Sequence, residues 1–155
     1  MANATFFDSF ITSAANVIFR GGTAPNSSNF YAILTLTPTS SPLKRWFGIN
    51  TVIFYELAAV NGYARKSLSF GAGIYDDTNA RHEFPDLTFT HTAIGGNIVY
   101  RNVVILANAN ATVANTAGQL VAFYSAPSEQ TIVAGQNKAF TIPVGVLNSG
   151  YVAGI

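Results

Sequence analysis

Beyond Asn61 the chain is a succession of short stretches rich in β-branched and aromatic residues, broken by turn residues roughly every 8 to 15 positions. This constrains the fold more than any other feature, because runs so short and so evenly punctuated close into a sandwich or barrel of antiparallel strands. The spacing predicts strands at 63–70, 87–93, 98–106, 119–124, 131–133 and 138–144. Breaks are expected at Gly71-Ala72-Gly73, Gly95-Gly96, residues 108–118, Ala126-Pro127 and Gly135. Leu87, Phe89 and His91 alternate with Thr88, Thr90 and Thr92, so that strand should bury one face and solvate the other. Val103-Val104-Ile105-Leu106 is continuously apolar, as a central strand covered on both sides would be.

The first third of the chain reads differently. Phe6, Phe7, Phe10, Ile11, Ala14, Ala15, Ile18 and Phe19 recur at helical steps, which predicts one amphipathic helix over 5–20. Thr5 would cap it, and Arg20-Gly21-Gly22 would stop it. Residues 30–37 then form a strand ended by Pro38, a loop carries Trp46, and a second apolar stretch runs over 51–57. The expected fold is mainly β, an antiparallel β-sandwich or jelly-roll-like domain with one N-terminal amphipathic α-helix. All 155 residues make a single domain: helix 5–20, sandwich 30–147, and an apolar C-terminal arm over 148–155.

Charge narrows the function classes. Only 10% of residues are charged and the net charge is +1, so no basic stripe exists to hold nucleic acid or an anionic membrane. A surface of Ser, Thr, Asn and Gly with apolar groups left over suits either an ordinary uncharged β domain or a protein buried among neighbours. Cysteine is absent, which removes disulfides, thiolate metal sites and thiol nucleophiles. No apolar run reaches the roughly 20 residues that span a bilayer, and the start lacks the basic segment of a secretory signal, so the expectation is a soluble chain made in the cytoplasm.

Motifs for chemistry are scarce. His82 lies in the charged segment Asp76–Asp86, whose carboxylates suggest a cation, but their order fits neither an EF-hand loop nor a His-Glu-x-x-His site. A solvated loop between strands explains it better. His91, at an apolar position of its strand, reads as a satisfied core or interface histidine. There is no Gly-x-Ser-x-Gly elbow and no phosphate-binding loop. The sequence predicts no enzyme, no metal and no cofactor. Asn61-Gly62 is the best two-residue hairpin signal in the chain. Arg65, just beyond it, offers a planar fork to a neighbour's carboxylate or carbonyls, or else to an ion pair of its own chain. Candidate contact residues are therefore Asn61, Gly62, Tyr63, Arg65 and Trp46, with Tyr151, Val152 and Ile155 of the arm.

The order of parts resembles a family of small tailed-bacteriophage virion structural proteins, of tail-fibre or head-associated type. The likeness rests on Phe19-Arg20-Gly21-Gly22-Thr23-Ala24-Pro25 followed by Tyr31-Ala32-Ile33-Leu34-Thr35, then Asn61-Gly62-Tyr63-Ala64-Arg65 and Asp86-Leu87-Thr88-Phe89. It continues through Val103–Leu106, Gly118–Tyr124, Thr131–Gly135 and Ile142–Leu147, and so spans nearly the whole chain. Two departures stand out: Ala93–Asn97 replaces the tryptophan-containing segment usual before the central strand, and residues 41–49 look inserted. The resemblance implies a compact sandwich with a helix that builds a particle and has no active site. With the small size of the chain, its spare apolar surface and the lack of a coiled coil or long repeat, the expected role is a capsid decoration or cement protein located in the virion and bridging major capsid subunits, as a homo-oligomer with a trimer favoured. The alternatives are a tail, neck or fibre component of the same particle and, from another class, a carbohydrate-binding module.

Overall fold

The structure is a computed structural model, and it describes residues 5–6, 16–17, 19–22, 29–36, 49–69, 74–76, 81–83, 86–142 and 146–148. The chain is mainly β, with antiparallel sheets as the strand spacing predicts. Its central sheet has five strands in the order β1 (Thr5–Phe6), β8 (Gln119–Ile132), β7 (Ile98–Ala107), β2 (Phe30–Thr35) and β3 (Lys66–Leu68). A second sheet pairs β6 (Leu87–Thr92) with β9 (Asn137–Ile142), and a third joins β10 (Val146–Asn148), β5 (Arg81–Glu83) and β4 (Ile74–Asp76).

Two apolar layers sandwich the central sheet. On one face Leu34, Val103, Ile105 and Tyr124 pack with Leu87, Phe89, Phe140 and Ile142 of the two-stranded sheet. On the other, Ile33, Val104, Leu106 and Leu120 meet Val52 and Ile53 of helix α1 (Ile49–Phe54). Residues 103–106 are continuously apolar because successive side chains of β7 enter opposite layers and both are dry. In β6 the period-two pattern is realised as strict alternation, with Leu87, Phe89 and His91 buried and the three threonines exposed.

Several expectations need correction. The helix expected over 5–20 does not begin at Thr5, since Thr5 and Phe6 form a strand paired with Phe123 and Ala122. Residues 16, 17, 19 and 20 are helical, and Gly22 N–H returns to the Asn16 carbonyl (3.2 Å) where the turn ends; the other positions of that helix lie outside the described residues. The apolar stretch 51–57 is mostly helix α1, a run too short for periodicity alone to separate helix from strand. The expected break at Ala126-Pro127 is a bulge within one continuous strand. Ladder pairs flank it at Tyr100↔Gln130 and Asn102↔Ser125, so Arg101 alone faces residues 126–129. Proline, having no N–H to give a ladder, is accommodated there, and Arg101 Nη2 donates to its carbonyl (3.0 Å). Next to the bulge, Asn102 ties three strands: its Nδ2 donates to Thr35 Oγ1 (3.1 Å), and its Oδ1 accepts from Ser125 Oγ (2.7 Å). The charged segment after residue 73 is a hairpin and no simple loop, with Asp76 opposite Arg81 and Tyr75 opposite His82.

Candidate interaction surface

The segment between α1 and β3 positions most of the residues singled out in the sequence. The chain runs beside β2 at Glu56, bridged to Thr35, with Leu57 N–H donating to Leu34 O (3.1 Å). It leaves the sheet over 58–65 and returns as β3, where Lys66 faces Ala32. At the gap left in the ladder, the hydroxyl of buried Tyr63 accepts the Leu34 N–H (3.2 Å) and donates to Glu56 Oε1 (3.0 Å). Burial, reinforced by the Glu56 carboxylate, pushes the Tyr63 pKa far above that of an ordinary phenol, so the hydroxyl keeps its proton and acts as a donor.

Asn61-Gly62 forms the tight turn its sequence predicts, with φ of 55° and 80° and Tyr63 N–H bonded to Val60 O (2.9 Å). It does not make a hairpin, because the strands it separates both lie along β2. Instead the turn docks on the β6–β7 connection. A Cβ on Gly62 would sit 2.6 Å from the Thr92 carbonyl, Ile94 N–H donates to Asn61 O (2.9 Å), and Asn61 Nδ2 donates to Asn97 O (2.8 Å). Asn97 Oδ1 in turn accepts the Ala134 N–H (2.9 Å) of the β8–β9 connection, and Gly135 N–H reaches Ala93 O (2.8 Å). Three turns at one end of the sandwich are thus sewn together by two asparagines.

That end is apolar outside. Val60 is 58% exposed, Ile94 65% and Val133 48%, one from each turn. Beside them opens a cleft of about 110 Å³ lined by Leu57, Val60, Tyr63, Ile98 and the two asparagines, among others. A space of that size accepts one apolar side chain of another protein.

Arg65 faces inward, which corrects its expected part as a contact residue. Its guanidinium makes a bidentate pair with Glu56 and donates to the carbonyls of Asn110 (Nη1, 3.2 Å) and Asn115 (Nη2, 2.8 Å). Glu56 Oε2 also accepts the Ala114 N–H (2.8 Å), so the pair clasps the 108–118 connection from both of its chemical sides. This connection is the loop its composition predicts, but it is folded onto the clasp, with Ala109 buried and Asx-type bonds at Asn110 and Asn115. His91 is buried as expected but not satisfied: neither ring nitrogen has a hydrogen-bond partner. Burial, with Lys66 adding repulsion, lowers its pKa to about 4. Trp46, Tyr151, Val152 and Ile155 lie outside the described residues; of the expected contact set Asn61 and Gly62 form the turn at the apolar end, whereas Tyr63, like Arg65, is buried and turned inward onto Glu56.

Sequence reasoning missed Glu56, Val60, Ile94, Asn97 and Val133. A usable signal was present for three of them: Val60, Ile94 and Val133 are apolar residues standing just before Asn61-Gly62, Gly95-Gly96 and Ala134-Gly135. An apolar side chain beside a turn glycine has little sheet to hide in. Among the described residues no group of three or more His, Asp or Glu gathers to hold a metal, and no helix is long and apolar enough to cross a membrane. No model of a known protein family matches the chain, and no curated protein matches it either.

Proposed function

We propose that the protein is a non-catalytic structural subunit of a bacteriophage particle, acting as a decoration protein that binds across major capsid subunits through its sewn turn end. The observation that carries this reading is that end itself. Val60, Ile94 and Val133 stand exposed on three turns that Asn61 and Asn97 hold in one geometry. Exposed apolar side chains on a preorganised frame favour docking, because little conformational entropy remains to be lost on contact. A surface with only 10% charged residues in the chain contributes little long-range attraction, so binding would depend on burial of these groups at about 25 cal/mol per Å² before association costs. Many weak copies on one particle then add up.

The phage assignment rests on the resemblance of the sequence, from Phe19–Pro25 through Asn61–Arg65 to the last strands, and the choice of the head on the small size of the chain and the lack of a coiled coil or long repeat in its sequence. Antibody labelling of intact particles tests it. Label spread over the whole head supports a decoration role. Label confined to a vertex or the tail moves the protein to a neck or tail position, and unlabelled particles combined with glycan binding by the purified protein replace the structural reading by a carbohydrate-binding one.

A further inference from the structure

We infer that His91 makes the β6–β9 layer an acid-releasable latch: protonation of this one ring loosens the two-stranded sheet from the central sheet before the rest of the fold gives way. His91 is 0% exposed and points from β6 toward the interior. It stacks on Tyr63 (centroids 5.6 Å, planes 24° apart) and meets the rings of Phe89 (5.7 Å) and Phe140 (5.8 Å) edge on. Phe140 stacks in turn on Phe89 (4.8 Å) and touches Tyr100 of β7 (5.4 Å), so this aromatic cluster is the joint between the layers.

An imidazolium there has no acceptor for either N–H. The titratable groups around it do not help. From β3 Lys66 repels it, and Lys138, its cross-strand neighbour on β9, is also cationic and exposed. Tyr63 and Tyr100 are neutral phenols whose pKa values burial raises, and the Glu56 carboxylate is already engaged by Arg65 and by the Tyr63 hydroxyl. Ring faces attract a cation, but by less than the cost of burying a charge without an acceptor. The strain falls on the weakest junction. Among the described residues β6 and β9 hydrogen-bond as strands only to each other, and side-chain packing holds them to the central sheet. The connections at the ends of this layer carry Ile94 and Val133, so release would also dismantle the contact end. That last step depends on the reading of that end as a docking surface, whereas release of the layer does not.

Hydrogen exchange of the isolated full-length protein, corrected for intrinsic rates, tests the latch between pH 7 and pH 3.5. Amides of 87–92 and 137–142 should lose protection on the order of a hundredfold over this range and end nearly unprotected, while 102–106 of β7, which exchange only through the larger opening, lose a similar factor yet stay far better protected at pH 3.5. His91→Phe, which fills the same aromatic surroundings without a titrating group, should keep the layer protected at both pH values. Should that variant not fold, an NMR titration of the wild-type imidazole serves instead, with a midpoint well below 6.5 expected. Equal acid losses in wild type and His91→Phe, equal residual protection in β6, β9 and β7 at pH 3.5, or an imidazole titrating near 6.5 would each overturn the proposal.

Discussion

Arg65 and Glu56 form a two-bond fork in the dry interior, Nε to Oε1 and Nη2 to Oε2, each 2.7 Å, with their side chains 0% and 1% exposed. Desolvating both charges offsets much of their attraction, so the pair adds little net stability against an apolar replacement. What it does is fix geometry: one end of the pair holds carbonyls of the 108–118 connection and the other holds an N–H.

Removing one partner therefore costs more than removing both. Glu56→Ala or Arg65→Ala should each destabilise by about 3 to 5 kcal/mol, since the charge left behind is buried and unpaired. The double variant Glu56→Leu with Arg65→Met should lose less than either single in chemical denaturation, while exchange at 110–117 rises because the connection has lost its clasp.

The turn end responds to substitution by position. Gly62 and Gly95 both have positive φ, near 80°, which costs an L-residue about 1 to 2 kcal/mol. At Gly95 a Cβ meets nothing within 4 Å, whereas at Gly62 it meets the Thr92 carbonyl at 2.6 Å. Thermal unfolding should show Gly95→Ala losing only the backbone cost and Gly62→Ala losing clearly more. Asn61→Gly keeps the left-handed backbone but gives up the bond to Asn97 O, at a cost of about 1 kcal/mol.

Stability should fall with acid through His91. Its pKa is lowered to about 4 in the folded chain from 6.5 when exposed, so at neutral pH both states are uncharged and nothing is lost. As pH drops below 6.5 the unfolded chain takes up the proton and the folded one does not. Stability then declines by about 1.4 kcal/mol per pH unit until the folded pKa is reached, about 3 kcal/mol in all. Denaturant midpoints measured from pH 7 to pH 4 should show this slope in wild type and a shallower one in His91→Phe, where only the carboxylates and His82 remain to titrate.

The parts of this architecture legible in the sequence were those with a local cause. Alternation at 87–92 and continuity at 103–106 follow directly from whether one face or two are dry, and a short run of residues carries that signal. Asn61-Gly62 announced its turn because few other pairs adopt two successive positive φ values. Helix α1 was obscured by Ile49, Val52 and Ile53, β-branched residues that suit a strand equally well. Thr5–Phe6 carried a helical periodicity that pairing with β8 overrides. The clasp was invisible for a different reason: Glu56 and Arg65 sit on neither a common helix face nor a cross-strand pair, and only the excursion over 58–65 brings them together. The cross-stitching by Asn61 and Asn97 likewise depends on three connections meeting at one end.

Under the proposed function, the turn end carrying Ile94 is the surface by which the protein joins a virion. A photo-cross-linking amino acid placed at Ile94, and as a control at Ala117 in the connection at the opposite end of β7, can be carried into intact particles and irradiated. A covalent adduct is expected between position 94 and the major capsid protein, with none from position 117. Particles that carry the protein yet yield the capsid adduct from 117 and not from 94, or that carry none of the protein at all, would contradict it.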